Sequence, residues 1–164
     1  MTHAQAPSSM TSRPAPLYTP EQRARRDATR WTLVQGVLAP LQFAVFAISL
    51  ALVARFLLTG AGYEIATWSI VAKTMILYLI MITGAIWEKI VFGQYLMAPP
   101  FFWEDMVSFL VVALHTVYLW ALFDRALGPT GLMALALLAY AAYAINAAQF
   151  VLKLRRARLE RGAP

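Results

Sequence analysis

The chain has 164 residues, of which 60% are hydrophobic and only 13% are charged, and its net charge is +6. A small soluble domain cannot bury so large an apolar fraction, so the composition predicts a membrane protein. The sequence contains no cysteine, which excludes disulfides, zinc–thiolate sites, iron–sulfur clusters and thiol nucleophiles.

The chain begins with a polar segment. Residues 1–17 are rich in Ser, Pro and Ala and lack the apolar core of a secretory signal, so we expect a disordered N-terminal tail. Thr19, Pro20 and Gln22 then have the pattern of a helix start with a capping box. This helix is expected to continue through Arg30 into the first membrane span.

Four apolar stretches are each long enough to cross a membrane as a helix. Glycine and proline separate them, at 60–62, 99–100 and 128–129. The prediction is an all-α protein, a single four-transmembrane-helix bundle over residues 18–158, followed by a short tail at 159–164. The predicted spans are 31–58, 65–87, 103–127 and 132–152.

Positive charge is concentrated at the two ends of the chain. Ten of the fourteen Lys and Arg residues lie before the first span or after the last. Four spans place both termini on one side, and the positive-inside rule makes that side cytoplasmic. Nucleic-acid binding is the alternative reading of basic termini, but no nucleic-acid motif accompanies them, so no such partner is expected.

Polar residues inside the spans are costly in lipid and therefore informative. Gln35, Gln42 and Ser49 are seven residues apart, which places them on one helix face. They predict an interhelical hydrogen-bond seam, the polar wall of a pocket, or both. Lys73 lies within the second span, where snorkelling to the outer interface is favoured over a buried amine.

The third span carries a stripe formed by Glu104, Ser108 and His115, at spacings of four and seven residues. His115 falls near the membrane midplane, where a single histidine usually makes structural hydrogen bonds. It could also ligate the magnesium of a pigment or move a proton. A haem held by two histidines is not expected, because His3 lies in the tail.

Most polar side chains fall in one layer at the predicted cytoplasmic end. Tryptophan precedes two of its carboxylates, in Trp87-Glu88 and Trp103-Glu104, and a low dielectric there favours the protonated carboxyl of a general acid. Asp105 can equally be interfacial decoration. The layer comprises Gln35, Glu88, Glu104, Asp105, Ser108, Asn146 and Gln149.

Four stretches of the chain resemble the 3-vinyl (bacterio)chlorophyllide hydratases of anoxygenic phototrophic bacteria. The resemblance covers nearly everything beyond the tail. The stretches are LYTPEQRARRDATRWTLVQGVLAPLQF (17–43), SIVAKTMILY (69–78), IWEKIVFGQYLMAPPFFWEDMVSFLV (86–111) and YAINAAQFVLKLRRARL (140–159).

The resemblance implies a hydro-lyase of bacteriochlorophyll biosynthesis that adds water across the 3-vinyl group of a chlorophyllide or bacteriochlorophyllide. Glu88 or Glu104 would be the general acid, and the other would orient the water as a base. Glu88→Gln and Glu104→Gln are each expected to lower hydration at least about 100-fold. Asp105→Asn should matter less, because Asp105 points about 100° away from Glu104 around the helix.

The resemblance further implies a binding site for a large flat ring. Its expected residues are Gln35, Phe101, Phe102, Trp103, Asn146, Gln149 and His115, with Tyr95 beside the aromatic group. No cofactor or protein-bound metal is expected, since magnesium enters only as part of the substrate. The expected partners are this substrate, the lipid bilayer and other enzymes of bacteriochlorophyll biosynthesis, and the expected location is the bacterial inner membrane.

Two other classes of function remain open from the sequence. A non-enzymatic pigment-binding or assembly protein would hold pigment without turnover, with His115 as a magnesium ligand. A small-molecule transporter is disfavoured, because small four-span exporters typically carry a buried carboxylate in the first span, where this chain has Gln and Ser.

Overall fold

The computed structural model describes residues 16–162, with side chains up to Leu159. Within this range the protein is all-helical, and its last four helices are long and apolar enough to cross a membrane. The predicted four-span bundle is therefore confirmed, whereas most of the predicted tail at 1–17 and the last two residues lie outside the described residues. The helices are α1 Pro20–Ala28, α2 Arg30–Thr59, α3 Tyr63–Phe92, α4 Phe102–Phe123 and α5 Pro129–Gly162.

Helix α1 is separate from the first span. Thr19 forms the predicted capping box with Gln22. The chain then becomes extended at Thr29, whose side chain accepts a hydrogen bond from the backbone N–H of Trp31 and so begins α2. The expectation of one continuous helix through Arg30 is wrong because Thr29 acts as a second N-cap, a contribution of about 1 kcal/mol.

The outer surface of the bundle is strongly apolar. Leu33, Trp68, Trp120 and Val151, one from each long helix, are all more than 60% exposed. Exposed apolar side chains of this size would be unfavourable in water but are favourable against lipid tails. The surface is therefore that of a bundle whose sides face a bilayer.

Helices α2 and α3 are antiparallel neighbours joined by side-chain hydrogen bonds. Gln35 Nε2 donates to Thr83 Oγ1 at 2.8 Å, and the hydroxyls of Ser49 and Ser69 lie 2.7 Å apart about four turns further along. Ser49 also bonds the hydroxyl of Tyr140 on α5. These contacts confirm the predicted polar seam at its two ends.

The middle of the seam differs from its ends. Gln42 is only 2% exposed, yet neither its amide nitrogen nor its amide oxygen has a hydrogen-bond partner within the part of the chain that the structure describes. The seam prediction therefore fails at this position.

Helices α4 and α5 are closely packed neighbours. The fully buried Ala136 and Ala139 of α5 leave room for the approach, and Asn146 Nδ2 donates to Ser108 Oγ at 2.7 Å. We call the end at which α2 and α4 begin and α3 and α5 end the terminal end. The connection between α3 and α4 lies there and positions the candidate site.

Candidate active site at the terminal end

The connection between α3 and α4, residues 93–101, is a compact loop with an unusual backbone. Leu96 (φ 77°) and Met97 (φ 58°) are consecutive non-glycine residues in the left-handed region, which costs roughly 1–3 kcal/mol at each such residue. Such a backbone persists only when its surroundings hold it in place. The contacts of its backbone amides show what holds it.

Two carboxyl groups bind the amides of this loop. Met97 N–H donates to Asp105 Oδ2 at 2.6 Å, and Ala98 N–H donates to Glu88 Oε2 at 3.2 Å. Glu88 is 5% exposed and Asp105 is 3% exposed. Because the two amides are consecutive, the two carboxyl groups lie side by side, within hydrogen-bonding reach of each other.

Glu104 has a different partner. Its Oε2 forms an ion pair with the Nζ of Lys153 on α5, and the same ammonium group donates to the carbonyl oxygen of Pro100. Glu104 is 6% exposed, so this charge-assisted contact lies almost entirely out of solvent on the carboxyl side. This ion pair also ties the end of the loop to α5.

The structure thus gathers Glu88, Asp105 and Glu104 at one place but pairs them differently from the sequence expectation. Asp105, and not Glu104, lies against Glu88. Adjacent residues on a helix point about 100° apart, and here Asp105 faces α3 while Glu104 faces α5. Lys153 was missed, although its spacing of seven and four residues from Asn146 and Gln149 indicates the same helix face.

Polar groups continue one turn further into the bundle. Ser108 Oγ donates to the backbone oxygen of Glu104 at 2.9 Å and accepts from Asn146, while Gln35 is engaged with Thr83. The Oδ1 of Asn146 and the Oε1 of Gln149 are buried and have no hydrogen-bond partner among the described residues. These two oxygens are available to accept a hydrogen bond from a bound molecule.

The predicted aromatic platform divides into two groups. Phe101 is buried and stacks on Phe150 with ring centroids 6.0 Å apart. Phe102 and Trp103 contact each other edge to face at 5.4 Å and are exposed, as is Tyr95. Phe101 therefore lines the interior, whereas the other three face outward.

Tyr18, which the sequence did not single out, completes the interior group. It is buried beneath α1 and stacks on Phe92 at 5.8 Å, while Trp87 meets Phe101 edge to face at the same distance. This aromatic cluster covers the terminal end next to the carboxyl groups. Its members are Tyr18, Trp87, Phe92, Phe101 and Phe150.

A second polar cluster lies deep in the bundle. Lys73 is fully buried, and its Nζ lies 2.7 Å from His115 Nε2 and 4.2 Å from the centroid of the Tyr143 ring. The expectation that Lys73 snorkels outward is wrong, because an imidazole acceptor and aromatic ring faces satisfy its amine inside the bundle. Lys73 precedes Glu88 by fifteen residues, or about 22 Å along α3.

His115 uses both ring nitrogens within the protein. Its Nδ1–H donates to the carbonyl oxygen of Val111 at 2.8 Å, so Nε2 is the nitrogen that accepts from Lys73. Neither nitrogen has a lone pair free for a metal. This geometry agrees with structural hydrogen bonding and gives no support to magnesium ligation.

The fold and the site define a class: a four-span membrane protein with three buried carboxyl groups under a loop at one end. A family model described as 2-vinyl bacteriochlorophyllide hydratase matches residues 18–156. The chain belongs to this family, which confirms the resemblance found in the sequence.

Two relatives carry the same description. The 2-vinyl bacteriochlorophyllide hydratase of Cereibacter sphaeroides is 70% identical over 145 residues, covering 88% of this chain and 89% of that protein. The protein of that name from Rhodobacter capsulatus is 67% identical over 145 residues, covering 88% and 84% respectively. No solved structure matches the chain.

Proposed function

We propose that this protein is a hydratase that adds water across the vinyl group of a bacteriochlorophyllide and forms a 1-hydroxyethyl group. The names of the two relatives support the reaction and the substrate class. The vinyl position called 2 in their names is position 3 in the systematic numbering of the macrocycle. The observation that carries the proposal is the group of three buried carboxyls beside an aromatic cluster.

The reaction needs a proton donor and a positioned water. Protonation of the terminal vinyl carbon places positive charge on the inner carbon, where it spreads into the macrocycle, and water then adds to that carbon. We assign proton donation to Glu88, which has no ammonium partner among the described residues. Nearby anionic carboxylates stabilise the developing cation, as preorganised charges do in other active sites.

Glu104 is suited to positioning the water. Its side chain is positioned by the ion pair with Lys153 and can accept a hydrogen bond from the water and orient it. The free oxygens of Asn146 and Gln149 can bind the water or hydrogen-bond donors on the substrate. The amide of Gln35 is held by Thr83 on α3.

The aromatic residues suit a flat apolar substrate that arrives from the bilayer. Phe102 and Trp103 are exposed beside the site and offer a surface for the ring as it enters. Phe101 offers a ring face inside. His115 has no role in this proposal because both of its ring nitrogens have protein partners.

We further propose that the protein is a multi-pass protein of the bacterial inner membrane, with the terminal end facing the cytoplasm. The exposed arginines of α1 and of the end of α5, which include Arg23 and Arg155, support this orientation through the positive-inside rule. Single cysteines introduced at Ser12 and Ala61 should react with impermeant reagents from opposite membrane faces. Reaction from the same face would contradict the four-span orientation.

The reaction itself is tested by incubating membranes that contain the protein with a 3-vinyl bacteriochlorophyllide. The expected product is heavier by one water, and its new oxygen carries the label when the incubation uses oxygen-18 water. Membranes containing Glu88→Gln at the same protein level are the control. A correctly folded wild-type protein that yields no hydrated product would refute the proposal.

A further inference from the structure

The contact between Glu88 and Asp105 constrains how many protons the site holds. Both side chains are almost fully buried, and consecutive amides of one loop hold their carboxyl groups side by side. Two carboxylate anions in contact repel each other, and a hydrogen bond between two carboxyl groups requires a proton on one of them. The geometry therefore favours one proton shared by the two groups.

The surrounding charges do not remove this constraint. Among the described residues, neither Glu88 nor Asp105 forms an ion pair, since the nearby ammonium group of Lys153 is bound to Glu104. Glu104 is itself a carboxylate next to Asp105 in the chain. A second negative charge on the pair would thus be stabilised by the two loop amides and by Lys153 only through a charge that is already paired with Glu104.

A buried hydrogen-bond acceptor without a partner is a separate indication that a molecule binds at the terminal end. Asn146 is 8% exposed and donates to Ser108, which lies less than one turn further along α4 from Asp105. The Oδ1 of Asn146 has no hydrogen-bond partner among the described residues. A buried acceptor without a donor is unfavourable, so a bound molecule that donates to it would be held here.

We propose that Asp105 is a catalytic residue, which shares one proton with Glu88 and takes up the proton that the adding water releases. The proposal rests on the hydratase function proposed above and extends it to a residue that the sequence expectation ranked below Glu88 and Glu104.

The proposed steps balance within the site. Glu88 transfers its proton to the terminal vinyl carbon, where a C–H bond forms as the π bond breaks, and the electron deficiency moves to the inner carbon. The oxygen of water bonds to that carbon, and one O–H bond of the water breaks as its proton passes to the carboxylate of Asp105. The proton then lies between Asp105 and Glu88 again, so the pair is ready for another turnover.

Substitution at Asp105 tests this role against a matched control. Asp105→Asn should lower the hydration rate about 100-fold, the usual scale for a lost acid or base, and Asp105→Glu should recover part of it. Asp124→Asn, the same change on an exposed residue at the other end of α4, should leave the rate unchanged. Full activity in a folded Asp105→Asn protein would overturn the proposal.

Chemical rescue separates catalysis from a structural contribution. Asp105→Ala removes the carboxyl group and leaves space that formate can enter, so added formate should raise its hydration rate at least tenfold without affecting Asp124→Asn. If formate has no effect on an Asp105→Ala protein that folds and binds substrate, Asp105 is a positioning residue and the proposal is wrong.

Infrared spectroscopy tests the shared proton without any turnover. Wild-type protein in detergent should show the C=O stretch of a protonated carboxyl group, sensitive to heavy water, and this band should move or vanish in Glu88→Gln and in Asp105→Asn. Identical spectra for wild type and Asp105→Asn would show that Asp105 shares no proton with Glu88 and would overturn the proposal. If the band behaves as expected but the wild type forms no product, the hydratase function fails and the shared proton stands.

Discussion

Two buried polar clusters of the protein differ in how they are completed. At mid-bundle, Lys73 and His115 satisfy each other, and the remaining ring nitrogen of His115 is taken by the helix backbone. At the terminal end, by contrast, Glu88 and Asp105 are held by a strained loop. A cluster that is complete within the helices stabilises the bundle, whereas one that depends on a loop can exchange partners with a substrate.

The largest expected effect is on the reaction at the terminal end. Glu88→Gln removes the proposed proton donor but keeps the size of the side chain, so hydration should fall at least about 100-fold. The rate is measured on purified protein at equal folded amounts. Glu64→Gln, on an exposed residue at the other end of the same helix, should retain wild-type activity. Equal activities of Glu88→Gln and Glu64→Gln would show that the terminal-end cluster is no more catalytic than the mid-bundle cluster.

A smaller effect is expected at Lys153. Lys153→Gln leaves Glu104 without its ammonium partner while keeping a donor for the carbonyl oxygen of Pro100. Loss of one charge-assisted hydrogen bond, about 1.5–3 kcal/mol, should lower the hydration rate by roughly tenfold or more. Arg155→Gln on the exposed face of α5 is the matched control. An unchanged rate in Lys153→Gln would show that Glu104 does not need its partner to act.

The smallest effect on catalysis is expected in the mid-bundle cluster. His115→Ala removes the acceptor of Lys73 Nζ and opens a cavity, which should lower the free energy of unfolding by about 2–4 kcal/mol. Hydration per folded molecule should stay within about threefold of wild type, because the cluster lies far from the carboxyl groups. Thermal unfolding in detergent gives the first quantity and product formation gives the second.

The variant Lys73→Met tests the other member of the mid-bundle cluster. Methionine fills similar space without an amine to bury, so stability should change less than in His115→Ala. A His115→Ala or Lys73→Met protein that folds and binds pigment but no longer turns over would transfer the chemistry to the mid-bundle cluster.

Several features of the site could be read from the sequence because they depend on local pattern. Glu88 and Glu104 stand out as carboxyl groups beside tryptophan in an apolar chain, and Asn146 and Gln149 stand out by their position in the last span. The pairing of these residues could not be read in this way. It depends on how far each helix is rotated about its axis, and a rotation of 100° exchanges Asp105 for Glu104.

Lys73 shows the same limit of prediction from local sequence pattern. Its sequence neighbours indicate only a cation inside a span, for which snorkelling is the usual outcome. Whether it is buried depends on partners from other helices, and His115 and Tyr143 are 42 and 70 residues away in the chain. No local sequence pattern predicts contacts between residues so far apart in the chain.

The sequence by itself determined that the protein is a four-span helical bundle with its carboxyl groups concentrated at one end. Hydropathy, helix-breaking residues and capping motifs act within a few turns, so they are visible in the chain. Only the tertiary structure decided that Asp105 meets Glu88 and that Lys153 binds Glu104. The packing rotation of the helices and the left-handed path of the loop at Leu96 and Met97 set those contacts, and both arise from interactions between distant parts of the chain.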